Sequence, residues 1–332
     1  MSNSKPLFSF KVQFAEMIEM ANHSGMPDFI LLGFSEPPEH RIILFVCFLT
    51  MYLITLVANG TIIFIIQVDA RLQTPMYFFL RILSFIDICL PTVTIPKLLV
   101  NVFSKRKTIS FIGCFTQLYF FTSLGIMKDF VLAIMAVDRY LAISMPLHYA
   151  MLMSKRVCVS LLAGCWVIIS MASLTNTLLT ARLSFCRITR IDHYFCDIIK
   201  LFLLSCSDTS LNEQIILPMG LAVYFFTPLI CITTCYILIL ITIWRMPLRE
   251  GGVKAFSTCT SHLLVVTITY VPMLYTFIRP PTSDYVAEDR IVSVLFTIGC
   301  SMLNPFVYSI RNNEFKMALT KALNNRVVSR NK

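Results

Sequence analysis

The chain has 332 residues, of which 57% are hydrophobic and 14% charged. Soluble domains carry about a quarter charged residues, so a water-soluble enzyme or binding module is excluded, and apolar runs along the whole length define a polytopic helical membrane protein. The net charge of +10 would suit nucleic acid, yet no basic stripe with interleaved aromatics lies outside the apolar runs; lysines and arginines flanking membrane spans account for it.

Residues 1–41 form a polar tail with no basic segment followed by a short apolar stretch and a small-residue cleavage site. The first span is therefore expected to act as its own insertion signal, and Met20 offers a second start that would make residues 1–19 dispensable. Asn22-His23-Ser24 is a glycosylation sequon. Apolar periodicity and breakers predict seven spans at about 42–66, 76–95, 111–140, 157–179, 212–244, 255–278 and 290–310, giving an all-α seven-helix bundle over 42–311. A tail over 312–332 has apolar residues at helical spacing (Phe315, Leu319, Leu323), as in a short helix on a membrane surface. Asn59 lies inside span one, where an amide bonds to a neighbouring helix.

Pro75 suits the first turn of span two, which also carries Arg81 near one face and Asp87 deeper. Span three is the organising element. Cys114 and Arg139 stand about 25 residues apart, roughly 37 Å of helix at about 1.5 Å per residue, enough to cross a hydrocarbon core of about 30 Å. Between them an adjacent Lys128-Asp129 pair sits at mid-depth, where charges are costly and mark function. Span four has Trp166, read as packing. Span five carries Pro218 and Pro228, span six Pro272, and span seven ends in Asn304-Pro305-Phe-Val-Tyr308.

Lysine and arginine are balanced between the two sides of this layout, so the positive-inside rule does not orient it. The Asn22 sequon, the cluster of Cys186, Cys196 and Cys206 on the same side as Cys114, and basic residues without matching acids on the other side (Lys155, Arg156, Arg245, Arg249, Lys254, Arg311, Lys316) do. They put the N-terminus outside and the C-terminus in the cytoplasm.

Phe29-Ile-Leu-Leu-Gly-Phe34, Pro75-Met-Tyr-Phe-Phe-Leu80, Leu83-Ser-Phe-Ile-Asp-Ile-Cys89, Met135-Ala-Val-Asp-Arg-Tyr140, Pro146-Leu-His-Tyr149, Ser205-Cys-Ser-Asp208, Lys254-Ala-Phe-Ser-Thr-Cys259 and Asn304-Pro305 occur in this order. In that order and spacing the chain resembles a rhodopsin-like (class A) G-protein-coupled receptor of the vertebrate olfactory type. The resemblance implies disulfides Cys114–Cys196 and Cys186–Cys206, the second closing about twenty residues and worth about 3 kcal/mol. It implies a non-enzymatic receptor, without cofactor, that binds a small volatile odorant and activates a stimulatory heterotrimeric G protein, raising cAMP. Its place would be the plasma membrane of sensory cilia.

Asp138, Arg139, Tyr140, Lys254, His262, Asn304, Pro305 and Tyr308 would then carry coupling, with Asp138 neutralising Arg139 at rest. An apolar odorant pocket is expected in the outer half, from Leu118, Phe121, Thr122, Gly125, Ile126, Tyr270, Met273, Leu274, Phe277, Val294 and Thr297. No acid is placed there to receive an amine. His193 and Cys196 could bind a metal, but two ligands are too few, and no metal site is expected.

Val137 and Ser144 depart from the family stretch M-A-Y-D-R-Y-V-A-I-C, and Ala58 stands where glycine is usual. More consequential is Lys128, at a position commonly acidic in relatives, where that acid and the span-two Asp are expected to share a sodium ion. The reading here is an internal Lys128–Asp87 pair with Asp129 as a competing partner. A transporter would show internal repeats and paired broken helices, and an intramembrane hydrolase a nucleophile and base. Neither pattern is visible; the alternatives kept beside the receptor reading are a polytopic transporter and a non-olfactory chemosensory receptor of the same fold.

Overall fold

A computed structural model describes residues 28–34, 37–185, 189–245, 250–278, 286–311 and 313–330. The helices are α1 (Pro38–Val68), α2 (Pro75–Phe103), α3 (Phe111–Ser144), α4 (Pro146–Leu152), α5 (Lys155–Ala181) and α6 (Ile198–Leu203). They continue with α7 (Ser210–Met219), α8 (Thr227–Arg245), α9 (Glu250–Ile278), α10 (Val286–Val294), α11 (Cys300–Arg311) and α12 (Asn313–Arg330). Each expected span falls on these helices. α7 and α8 are joined by a π-helical segment, Gly220–Phe226, and α10 and α11 by another, Leu295–Gly299. Among the described residues six helices are long and apolar enough to cross a bilayer; α9 contributes a shorter apolar stretch, Cys259–Tyr275.

Local chemistry fixes the ends. Pro38 and Pro75 stand in the first turns of α1 and α2, where a missing N–H costs nothing. Ser110 caps α3 by accepting from the Gly113 amide, and Asp197 caps α6 by accepting from Ile199 and Lys200. The sequence reading ends span two near residue 95, but α2 runs on through Pro96 to Phe103. Gln117 of α3 ties into this stretch by donating to the Val93 carbonyl at 2.9 Å, and the Thr92 hydroxyl donates to the Ile88 carbonyl of its own helix at 2.6 Å. The tail helix likewise extends past 323 to Arg330, with Phe315 and Ala318 buried.

α3 is the axis. Of its apolar stretch 61% is buried inside the protein, against 17% for α1 and for α5, and it packs on α2, α5 and α8. Ile43, Val57 and Ile168 on the outer helices face outward, as lipid contact requires. At the Cys114 end lies a small sheet with strand order β2-β1-β3. β1 (Phe29–Leu31) pairs antiparallel with β2 (Thr108–Ile109) and parallel with β3 (Arg190–Ile191). Gly33 ends β1 at φ 57°, a left-handed turn that glycine makes at least cost, and its amide donates to the His193 carbonyl. Phe29 of β1 packs with Phe111, Phe115 and Phe185 in an aromatic cluster beside the sheet.

Candidate functional site

At the Cys114 end the chain between α5 and α7 is tied down on several sides. Cys114 and Cys196 form a disulfide with their Cα atoms 5.5 Å apart. Cys206 is disulfide-bonded; its expected partner Cys186 lies outside the described residues, as do Asn22 and the rest of the N-terminal tail through residue 27. Gln117 bridges two elements, since its Oε1 accepts from the Cys196 amide at 2.9 Å while its Nε2 holds Val93. Tyr194 meets Thr297 at 2.9 Å, and His193 Nε2 meets Ser293 at 3.1 Å. Arg290 pairs with Asp192, and Lys200 lies 3.6 Å from Asp289. Burial, with the positive charges of Lys200 and Arg290, pushes the His193 pKa down to about 3. Burial raises the Asp197 carboxyl.

Below this cap stand the expected ligand residues. Leu118 is buried with the phenylalanine cluster beside the sheet. Phe121 packs on Phe195 at 4.4 Å and reaches Phe296 at 6.4 Å. Thr122 donates to the Leu118 and Tyr119 carbonyls. A side chain at Gly125 would meet only the Phe296 ring, at 3.9 Å. Ile126, Met273 and Leu274 are half-buried against the main core, and Val294 packs near Tyr194 and Phe195. Tyr270 is buried, its ring 5.5 Å from Phe225. Thr297 is engaged by Tyr194. The Phe277 and Lys254 side chains lie outside the described residues.

At mid-depth is a closed polar cluster. Lys128 Nζ lies 2.7 Å from Asp87 Oδ1, both fully buried. Ser301 donates to Asp87 Oδ1 at 2.9 Å and Asn304 to Oδ2 at 2.7 Å. Lys128 also reaches Ser301 at 3.4 Å, while Asn59 donates to the Thr55 and Ser301 carbonyls, each at 2.9 Å. Taking two charges out of water is costly, and their attraction offsets this only with good geometry and added hydrogen bonds; Asp87 has both. Asp129, one residue on and about 100° round the helix, is buried too, but its Oδ1 has no hydrogen-bond partner.

At the other end of α3, Asp138 accepts from the Tyr149 hydroxyl of α4 at 2.8 Å. Burial and that carboxylate raise the Tyr149 phenol well above its usual range. The sequence reading has Asp138 neutralise Arg139 at rest; the carboxylate lies within electrostatic reach of Arg139 and also accepts from Tyr149. Arg139 is half-buried, beside Tyr140. Its charge reaches Tyr236, His262 and Tyr308. Tyr236 of α8 meets His262 Nδ1 of α9 at 2.8 Å, rings stacked. Pro305 is buried within α11 beside Asn304.

A family model described as "Olfactory receptor" matches residues 47–326. The chain belongs to the olfactory receptor family. Among its relatives, rat (Rattus norvegicus) olfactory receptor 1f45 is 46% identical, the match covering 91% of this chain and 96% of the relative. Human (Homo sapiens) olfactory receptor 1F1 is 46% identical over 93% of this chain and 98% of its own length. Mouse (Mus musculus) olfactory receptor 1M1 is 44% identical, with coverage of 93% and 99%. The crystal structure of squid rhodopsin superposes with a TM-score of 0.69 at 19% identity, covering 87% of this chain and 82% of the other, and so shares its fold. This olfactory receptor is a multi-pass membrane protein and not an enzyme.

Several residues that organise the receptor's interior carry little sequence signal. Ser301 shares a helical face with Asn304, three residues on, which was the available clue. Gln117, one turn past Cys114 in an apolar helix, was another. Tyr149, Tyr194 and Tyr236 act through partners distant in sequence, and no local pattern marks them.

Proposed function

We propose that this olfactory receptor binds a small, mostly apolar odorant among spans three, five, six and seven, in the half of the bundle nearest the Cys114–Cys196 bridge. The N-terminus faces outside and the Arg139 end faces the cytoplasm, where it engages a stimulatory olfactory-type heterotrimeric G protein and raises cAMP. The receptor sits in the plasma membrane of sensory cilia, glycosylated at Asn22. The observation that carries this reading is α3 itself, one continuous helix packed on α2, α5 and α8 that joins the capped end to Arg139. An odorant screen in cells carrying the olfactory G protein and a cAMP reporter tests it. A saturable cAMP rise, lost in Arg139→Ala at equal surface display, is expected; a response carried only by an inhibitory G protein would overturn the coupling assigned here.

Within the same reading, Lys128 supplies to Asp87 the positive charge that a sodium ion is expected to supply in relatives. The 2.7 Å contact and the absence of exposed surface on either side chain support this. Basal signalling should be indifferent to sodium, and Lys128→Glu should make it sensitive. A wild-type receptor whose basal activity falls steeply with added sodium would refute it.

A further inference from the structure

Among the buried polar atoms without a hydrogen-bond partner in the described residues, two lie near the junction of spans three, five and six. One is Asp129 Oδ1, an acceptor; the other is the Tyr270 hydroxyl. Their residues are 3% and 2% exposed, and the Asp129 charge reaches Tyr270. Buried polar atoms in folded proteins are nearly always paired, so an orphan calls for a ligand or an ordered water. Helical serines and threonines can turn onto their own helix carbonyls. A carboxylate oxygen and a phenol need a partner from elsewhere.

Their placement is specific. Asp129 lies one turn along α3 from Gly125 and Ile126, on the same face. At Gly125 the missing side chain leaves only the Phe296 ring within 4 Å of where a Cβ would stand. Tyr270 approaches from α9 with its ring against Phe225, inside the π-helical segment of span five, and such segments recur at functional sites.

We propose that Asp129 and Tyr270 form the polar floor of the odorant pocket and select odorants that carry an alcohol hydroxyl, which donates to Asp129 Oδ1 and accepts from the Tyr270 phenol. The inference rests on the odorant pocket proposed above. A single hydroxyl satisfies both orphans at once. An ether accepts from Tyr270 but cannot donate, and an alkane does neither.

The test uses the full chain displayed on cells with a cAMP reporter, and as probes medium-chain primary alcohols, each with its isomeric methyl ether and the alkane of equal length. Wild type should respond to an alcohol at a concentration about tenfold lower than to its ether, the usual worth of a buried hydrogen bond that one partner cannot make. In Asp129→Leu that ratio should collapse to about one. In Tyr270→Phe the alcohol keeps its bond to Asp129 while the ether loses its only one, so the ratio should persist or grow. Surface labelling accompanies each variant. If Asp129→Leu is not displayed, Asp129→Asn, which keeps the shape with a weaker acceptor, should show a ratio between the two extremes.

Ethers or alkanes as potent as alcohols on wild type would overturn the inference, as would an unchanged ratio in the Asp129 variants; either leaves the pocket itself standing. A displayed receptor silent to alcohols but driven by other odorants would overturn the hydroxyl preference alone. Silence to odorants of every class would overturn the pocket and its floor together.

Discussion

The two ends of α3 are held by different kinds of bond. At the Cys114 end a disulfide, a three-stranded sheet, ion pairs to α10 and a cluster of phenylalanines act together. At the Arg139 end the described cross-links are single hydrogen bonds: Tyr149 to Asp138, Tyr236 to His262, and Ser144 to Thr242 at 3.0 Å. Each is worth about 1 kcal/mol net, whereas a disulfide alone contributes about 2–4 kcal/mol. Rearrangement is therefore cheap at the Arg139 end and costly at the cap. Such an asymmetry suits a protein that must keep a binding end in shape while another end opens.

The largest expected effect lies between the two ends. Lys128→Ala leaves the Asp87 charge buried without its partner and should destabilise by about 3–5 kcal/mol, read as a lower melting temperature in detergent. Lys128→Met combined with Asp87→Asn should be milder; equal losses would mean that the pair carries no coupling. Next is Cys196→Ser, expected to cost about 2–4 kcal/mol and to speed hydrogen exchange across β1, β3 and α6. If exchange near Arg139 rises as much, the two ends are not independent.

Acid should weaken the cap through His193. A histidine whose folded pKa is about 3 favours folding fully above its unfolded value of about 6.5. That contribution is lost as pH falls from about 6.5 toward 3, at up to about 1.4 kcal/mol per pH unit. The raised Asp197 carboxyl works the other way at the acid end, so the difference between wild type and His193→Gln isolates the histidine. Cap stability in the variant should be flatter with pH over that window. The smallest effect is Tyr236→Phe, which removes one hydrogen bond between α8 and α9. About 1 kcal/mol corresponds to about a fivefold shift in an equilibrium, expected as raised basal cAMP at unchanged odorant sensitivity.

The helices were legible because an apolar run of membrane length has few other uses. The end of span two was not: α2 continues through Pro96 to Phe103, held against α3 by Gln117 at the Val93 carbonyl. The cap sheet was invisible in the sequence: its strands are two or three residues long and lie far apart along the chain, too short for an alternating pattern to register. Asp87 and Lys128 were conspicuous as opposite charges at similar depth, yet Ser301, which touches both, looks like any helical serine. Tyr236 was hidden for a different reason, because its role exists only once α8 and α9 are side by side.

The π-helical segments Gly220–Phe226 and Leu295–Gly299 each accommodate surplus chain, since an i→i+5 bond encloses one residue more than an i→i+4 bond. Removing a single residue from either should let that stretch tighten into ordinary α-helix while the flanking halves keep their facing. Elsewhere in the bundle the same deletion would rotate everything after it by about 100°. Spans five and seven thus contain built-in slack, and length changes in this chain should be tolerated there before anywhere else in the membrane.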